Sequence, residues 1–256
     1  MPFLNLSSCG LWYRRAGAGP SIVFLHAASG SSEHWECQLD FFSEAGFDCL
    51  SYDRVGWGLS SAITASSGAA SDNLDEFIRA LRLGAVHLVA IAAGGAVALD
   101  FALSYPESVA SLTVACSVGG VQDAEFLEQR ARFWTPELLA RPVHERELGQ
   151  HYQNHDPVGA AAWQAIAERA HAEENHARDD LIKQSLTLEK LSGIQSPVLL
   201  IAGSQDLLAP PELMGHIASA IPHCRFVTID HAGHAAFWEA PDRVNGLLLD
   251  FLRDNP

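Results

Sequence analysis

The chain has 256 residues, of which 48% are hydrophobic and 18% are charged, and its formal net charge at pH 7 is −15. This length and composition exclude an intrinsically disordered protein and suffice for one large globular domain. The 16 Lys and Arg residues are scattered along the chain, so the sequence predicts no nucleic-acid partner and no attraction to an anionic membrane surface.

Apolar strands and helices alternate along most of the chain. Eight runs of β-branched, aromatic and other apolar residues are predicted to be strands: 3–6, 11–15, 21–25, 47–52, 86–91, 112–116, 198–202 and 225–229. Helical patterns lie between them at 33–45, 74–83, 94–104, 211–220 and 242–252. The run at 86–91 is almost continuously apolar, which is typical of a parallel strand covered on both faces. The alternation predicts an α/β fold with a doubly wound, mostly parallel eight-stranded sheet.

One long segment interrupts this alternation. Residues 121–191 contain no convincing strand but many helix-forming residues. We interpret them as a helical cap inserted after the sixth predicted strand, so that residues 1–120 and 192–256 form the core of the domain. A cap over the carboxyl ends of the strands would form one wall of a ligand pocket.

The turn after the strand at 86–91 carries the most informative motif. Residues 90–94 have the sequence Ala-Ile-Ala-Ala-Gly, and an apolar helix follows. This turn resembles the nucleophile turn of the α/β-hydrolase family, which has the pattern G-x-S-x-G. Ala90 replaces the first glycine with another small residue. Ala92 stands at the serine position, and a methyl group cannot attack a carbonyl carbon.

Two further loops resemble the same family, so that the resemblance covers nearly the whole chain outside the cap. Residues 203–206 follow a predicted strand and resemble the family's acid loop, and residues 231–234 follow the last strand and resemble its histidine loop. The resemblance implies that Asp206 is the acid and His234 is the base. The order of residue 92, Asp206 and His234 is the family's order of nucleophile, acid and histidine.

The resemblance also implies an oxyanion site formed by backbone amides. The amide of Ala93 at the start of the helix would supply one donor, and the amide of Ala28 after the strand at 21–25 would supply the other. Ala27 departs from the family, which often has glycine there. We interpret His26 as a brace for this loop rather than as a reacting group.

Three side chains are predicted to line a small-molecule pocket beside this site: Ser29, Trp134 and Phe237. No cofactor is predicted, because Gly94 and Gly95 do not form the glycine pattern of a dinucleotide site. No metal site is predicted either, since the histidines of the cap lack a compact ligand spacing. These histidines are His144, His151, His155, His171 and His176.

The sequence also carries signals of location. Its five cysteines stand singly, an arrangement typical of reduced thiols. The N-terminal residues lack a basic region followed by an apolar core, and every apolar run is too short to cross a membrane. The sequence therefore predicts a cytoplasmic protein and leaves its substrate and oligomeric state open.

Three interpretations of Ala92 are compatible with the sequence. In the first, the natural protein has serine there and hydrolyses an ester, lactone or related acyl compound through a Ser-His-Asp triad, and this chain is an engineered inactive variant. In the second, a natural enzyme uses His234 and Asp206 as a cofactor-free base for proton abstraction, carbon–carbon bond chemistry or oxygenation. In the third, a natural protein binds a small molecule without catalysis. Ala27 and Ala90 count against the first interpretation, and the intact acid and histidine count against the third.

Overall fold

A nine-stranded sheet forms the centre of the molecule. The computed structural model describes residues 3–62, 68–170 and 179–256. The strands within them are β1 (Phe3–Asn5), β2 (Cys9–Gly17), β3 (Ser21–Leu25), β4 (Asp48–Tyr52), β5 (Ser61–Ala62), β6 (Val86–Ile91), β7 (Val109–Ala115), β8 (Val198–Gly203) and β9 (Arg225–Ile229). Their order in the sheet is β1-β2-β4-β3-β6-β7-β8-β9, and β5 pairs with β2 beside this path.

The predicted α/β fold with a mostly parallel sheet is confirmed. Each strand from β4 to β9 along the sheet is parallel to its neighbours in that group, whereas β2 is antiparallel to β1, β4 and β5. All eight predicted strands are present. The ninth, β5, has only two residues, too few to produce a recognisable pattern in the sequence. Because the carboxyl ends of parallel strands meet at one edge, the loops that follow β3, β6, β8 and β9 lie close together.

Twelve α-helices lie within the described residues, together with two short 3₁₀ turns at Ser32–Trp35 and Pro106–Ser108. The helices are α1 (Glu36–Glu44), α2 (Ala70–Leu81), α3 (Ala93–Ser104), α4 (Ala124–Phe133), α5 (Pro136–Leu139), α6 (Val143–Glu147), α7 (Gln150–His155), α8 (Pro157–Ala170), α9 (Leu188–Leu191), α10 (Pro211–Ala220), α11 (Ala236–Glu239) and α12 (Pro241–Asp254). None of the helices in the described ranges combines the length and the apolar character that a membrane crossing requires.

Helices bury both faces of the sheet. Along β6, Leu88 and Ala90 belong to one apolar core, whereas Val89 and Ile91 belong to the other, as the alternation of side chains along a strand requires. Helices α2, α3 and α10 contribute to the first core, and α1, α11 and α12 contribute to the second. Every residue of β6 is buried, which explains its continuous apolar sequence.

The predicted cap is helical where it is described. Helices α4 to α9 lie between β7 and β8, and the described part of this segment contains no strand beyond isolated bridges, such as the one between Val121 and Leu186. Both ends of the segment pack into the core, because Val121, Phe126, Leu186 and Leu191 belong to the cluster that includes α3 and α10. The division at 121 and 191 remains a prediction, and His171 and His176 lie outside the described residues.

Candidate active site

Ala92 occupies the sharp turn between β6 and α3. Its backbone has φ 49° and ψ −116°, a conformation that residues with a side chain rarely adopt. The turn is held by neighbouring groups: the Ala92 N–H donates to the Ala115 carbonyl (3.1 Å), and the Ala92 carbonyl accepts from the Ser117 hydroxyl (2.6 Å). The strained backbone therefore presents the Ala92 methyl group to the adjoining cavity, at the position where the family resemblance implies a nucleophile.

Glycine is required on the first turn of α3 because other parts of the chain approach it closely. A Cβ atom at Gly94 would lie 2.5 Å from the carbonyl oxygen of Leu25, and one at Gly95 would lie 2.5 Å from the hydroxyl of Ser117. Real Cβ atoms do not approach other atoms so closely, so a side chain at either position would push α3 away from β3 or from Ser117. Gly94 thus lets the turn at Ala92 lie against the end of β3, and Gly95 lets α3 lie against Ser117.

Two residues with unpartnered backbone N–H groups border the cavity beside Ala92. Ala93 is the first residue of α3, where N–H groups have no acceptor within the helix. Ala28 lies in the loop after β3, and it lines the same cavity as Ala92 and Ala93. Neither N–H donates a hydrogen bond within the part of the chain that the structure describes. These amides, with the positive end of the α3 dipole, can stabilise a negatively charged oxygen.

The loop that carries Ala28 is braced by ring nitrogens. His26 Nε2 accepts from the Arg54 N–H (2.9 Å), which leaves the His26 Nδ1 proton to donate to the Ala27 carbonyl (2.6 Å). The Trp57 indole donates to the Ala28 carbonyl (2.7 Å). His26 therefore braces the loop, as its sequence position suggested, and the loop is held in place although Ala27 replaces a common glycine.

The structure brings His234 and Asp206 together. His234 Nδ1 lies 2.9 and 2.8 Å from the two carboxylate oxygens of Asp206. One of these oxygens also accepts from the backbone N–H groups of Leu208 and Ala209, both at 2.8 Å. Since Nδ1 is engaged, Nε2 is the nitrogen left for the cavity, which His234 lines together with Ala92. This arrangement can hold an imidazole in the tautomer that accepts a proton at Nε2.

Buried carboxylates set the charge of His234. Burial alone would lower the pKa of His234, because it disfavours the charged imidazolium. Neighbouring carboxylates outweigh this effect and raise the pKa above the ordinary value: those of Asp206, Glu147 and Glu239. The neighbouring carboxylates therefore stabilise the imidazolium form of His234.

Glu147 is a site residue that the sequence did not reveal. It ends α6, it is buried, and it lines the cavity with His234. Its carboxylate accepts from the Ser29 hydroxyl (2.7 Å) and from the Trp163 indole (3.1 Å), and its backbone carbonyl accepts from the His234 N–H. Glu147 thus joins the cap to the loop after β3, through Ser29, and to the loop after β9, through His234.

A cavity of about 590 Å³ lies over this group, between the carboxyl edge of the sheet and the cap. This volume is within the usual range for small-molecule sites. Ser29 and Trp134 line the cavity. The Trp134 indole also donates to the Leu208 carbonyl (2.7 Å), so this cap residue is fixed to the loop that carries Asp206.

The prediction that Phe237 lines the cavity is wrong. Phe237 belongs to α11 and is 2% exposed, and it is absent from the lining of the cavity. Its ring stacks on Trp35 with the centroids 4.2 Å apart, and it packs against Trp163 at 5.9 Å. The turn of α11 therefore directs Phe237 into the core, although it follows His234 closely in sequence.

In the ranges 3–62, 68–170 and 179–256, no three His, Cys, Asp or Glu side chains are placed to hold one metal ion. His151 stacks on His155 at 4.0 Å and lies 4.8 Å from His231, but these rings are on the surface. The cavity itself offers no cluster of metal ligands among the described residues.

Comparison with known proteins gives one family and several different reactions. The family model described as "alpha/beta hydrolase fold" matches residues 20–241. The chain is 28% identical over 265 residues to a 2-hydroxy-6-oxononadienedioate/2-hydroxy-6-oxononatrienedioate hydrolase from Paraburkholderia phymatum, covering 94% of this chain and 90% of that protein.

Solved structures agree on the fold. A thermophilic esterase from Thermogutta terrifontis matches with a TM-score of 0.82 and 24% identity, over 96% of this chain and 94% of that one. A bromoperoxidase from Bacillus anthracis matches with a TM-score of 0.76 and 20% identity, over 96% of each chain. At these identities the likeness shows the fold and does not select the reaction.

Proposed function

The chain belongs to the alpha/beta hydrolase fold family, and we propose that its site is that of a Ser-His-Asp hydrolase for small esters, lactones or related acyl compounds, inactive in this chain because residue 92 is alanine. The observation that carries the proposal is the set of groups that surrounds Ala92. A methyl group occupies a strained turn whose only use in this chemistry is to expose a nucleophile. His234, which is hydrogen-bonded to Asp206, lines the same cavity as Ala28 and Ala93, whose backbone N–H groups have no acceptor among the described residues.

With serine at position 92, each group would have a defined task. His234 Nε2 would take the serine proton as the hydroxyl oxygen bonds to the substrate carbonyl carbon, and Asp206 would stabilise the imidazolium. The amides of Ala28 and Ala93 would donate to the carbonyl oxygen as it becomes negative. His234 would return the proton to the leaving alcohol, and the same steps with water would release the acid. With Ala92 the first bond cannot form.

A second function has its own support. His234 and Asp206 are hydrogen-bonded although residue 92 offers no nucleophile for them to activate, and the surrounding carboxylates raise the pKa of His234. Such a base could remove a proton beside a substrate carbonyl, while the Ala28 and Ala93 amides stabilise the enolate oxygen. Carbon–carbon bond chemistry or cofactor-free oxygenation could begin from that enolate. A site that only binds its ligand is the remaining alternative.

The substitution Ala92→Ser tests the first proposal. We expect hydrolysis of p-nitrophenyl acetate, p-nitrophenyl butyrate or δ-valerolactone to rise by several orders of magnitude, since loss of the nucleophile in subtilisin lowers turnover on the order of a million-fold. A fluorophosphonate should label residue 92. Adding His234→Gln to this variant is expected to return the rate to that of the Ala92 chain.

The alternatives give different outcomes. If the serine variant is neither labelled nor faster than the Ala92 chain on any compound that binds, the hydrolase proposal fails. Substrate-dependent exchange of a carbon-bound proton for deuterium in the Ala92 chain would then favour the base function, and its absence would favour binding alone. The source gene tests the interpretation as an engineered variant, which requires a serine codon at position 92.

A further inference from the structure

The cap places two guanidinium groups on the cavity. Arg130 of α4 and Arg146 of α6 both line it. The chain has 16 Lys and Arg against 31 Asp and Glu, so two arginines on one cavity run against the overall charge. The remaining lining is largely apolar, and its other titratable side chains are Glu147 and His234.

Arg130 has no counter-charge among the described residues. Its guanidinium carbon lies 4.5 Å from the centre of the Trp134 ring, and Trp134 is itself fixed to the Leu208 carbonyl. In the described ranges, no Asp or Glu oxygen lies within 4.0 Å of Arg130. Contact with the Trp134 ring therefore holds the guanidinium beside the cavity, where none of the described carboxylates compensates its charge.

Arg146 is only partly compensated. One terminal nitrogen donates to the Leu139 carbonyl (3.0 Å). Its Nε lies 3.8 Å from one oxygen of Glu147, which is too far for a hydrogen bond. The other Glu147 oxygen already accepts from Ser29 and Trp163. Arg146 therefore keeps donors for a further acceptor, although the field of Glu147 reduces its attraction for an anion.

We propose that the ligand of this cavity carries a carboxylate remote from its reacting carbonyl and that Arg130 and Arg146 bind that carboxylate. The placement of the carbonyl beside Ala28 and Ala93 rests on the proposed function. The corresponding substrate class is the half-esters of dicarboxylic acids and lactones with a carboxylate side chain. Guanidinium groups suit this task because their fork of N–H donors matches the two oxygens of a carboxylate.

The test uses the Ala92 chain and needs no turnover. Binding of monomethyl glutarate and of dimethyl glutarate is measured by isothermal titration calorimetry; the two compounds differ in one terminal charge. We expect the half-ester to bind roughly tenfold more tightly than the diester. This factor corresponds to the lower end of the usual free-energy contribution of a hydrogen bond to a charged group, because both arginines are partly exposed. Arg130→Gln and Arg146→Gln should each reduce this preference, and the double variant should remove it.

Arg132→Gln is the matched control. Arg132 is on the same helix as Arg130, its side chain is 71% exposed, and it lies beside Glu128 rather than on the cavity. This control removes the same charge and should keep the preference for the half-ester. If the preference arose only from the net charge of the protein, Arg132→Gln would reduce it as much as Arg130→Gln does. Thermal unfolding of each variant verifies that the chain is folded. Equal binding of the two compounds, or a preference that survives in the double variant, would overturn the proposal.

Its failure can be told apart from failure of the proposed function. If Ala92→Ser hydrolyses neutral esters well, and the arginine variants do not change KM for half-esters, the carboxylate proposal is wrong and the hydrolase proposal stands. If the half-ester binds with an arginine-dependent preference but the serine variant is inactive, the carboxylate proposal stands and the hydrolase proposal fails.

Discussion

At the scale of single residues, Glu147 adds to the negative charge that Asp206 places beside the base. Its carboxylate helps to raise the pKa of His234, so Glu147→Gln should lower that pKa by removing the negative charge while leaving an oxygen to accept from Ser29. Histidine ring signals followed by NMR across a pH titration measure the shift. Glu145→Gln, an exposed substitution on the same helix, is the control and should leave the His234 titration in place.

An unchanged His234 pKa in Glu147→Gln would contradict this electrostatic assignment. A loss of stability with an unchanged pKa would mean that Glu147 acts only through its contacts with Ser29 and Trp163. Because the amide retains hydrogen-bonding capacity, we expect Glu147→Gln to lower the pKa of His234 with little change in the free energy of unfolding.

The sequence could predict some residues of the site and not others. The positions of Ala92, Asp206 and His234 follow from local motifs at strand ends, and the hydrogen bond between His234 and Asp206 agrees with them. Glu147 has no such motif, because its partner Ser29 is 118 positions away in sequence and the contact exists only after folding. Phe237 was misassigned because nearness in sequence to His234 does not fix which way α11 directs a side chain.

At the scale of elements, the approach of α3 to β3 depends on glycine. Gly94→Ala would place a Cβ atom 2.5 Å from the Leu25 carbonyl, where backbone rather than a flexible side chain must move. We expect the free energy of unfolding to fall by roughly 1–3 kcal/mol, the usual range for overpacking. Urea denaturation measures the change.

Gly246→Ala is the matched control for this prediction. Gly246 lies within α12, and a Cβ atom there would meet no atom within 4 Å. The same substitution should therefore stabilise the protein by about 0.5–1 kcal/mol, since alanine favours a helix over glycine. Equal effects of the two substitutions would show that close packing at Gly94 is not the cause.

Strands could be predicted from the sequence where burial on both faces requires a continuous run of apolar residues. β6 and β8 are buried along their whole length, and their continuous apolar sequences marked them as central strands. β5 pairs with β2 through only two residues, and such a short strand has no periodicity to detect. The helices of the cap were expected, but the core contacts of Val121 and Leu191 at its ends depend on packing that composition does not encode.

At the scale of the whole molecule, stability should depend on pH through buried acids. Burial raises the pKa of Glu239 from 4.5 to about 7, against the opposing effect of backbone donors such as Gly233 N–H. Between pH 4.5 and about 7 the folded protein keeps a proton that the unfolded chain has lost, so folding becomes less favourable as the pH rises. Asp179, with a pKa raised to about 6 by burial, acts in the same direction.

Unfolding midpoints in urea at pH 5.5 and pH 8, at constant ionic strength, test this dependence. Glu239 and Asp179 should make the protein more stable at pH 5.5, and the formal charge of −15 adds to the difference, because protonation relieves repulsion. Buried His34, whose pKa burial lowers to about 3, opposes this effect, because the unfolded chain takes up a proton there that the folded protein does not. Glu239→Gln should reduce the difference, whereas Glu107→Gln, an exposed substitution with the same change of charge, should not. A difference between the two pH values that is unchanged in Glu239→Gln would contradict the assignment.

Glu147 makes the proton affinity of His234 depend on the position of α6. Glu147 belongs to the cap, yet it helps to fix the proton affinity of a core imidazole, so any displacement of α6 relative to His234 changes how many protons the protein holds at a given pH. A ligand that draws α6 inward would bring a proton in with it, and its affinity would then weaken in alkaline solution. By reciprocity, acid would favour the inward position of α6. Calorimetry would show this exchange as a heat of binding that varies with the ionisation enthalpy of the buffer.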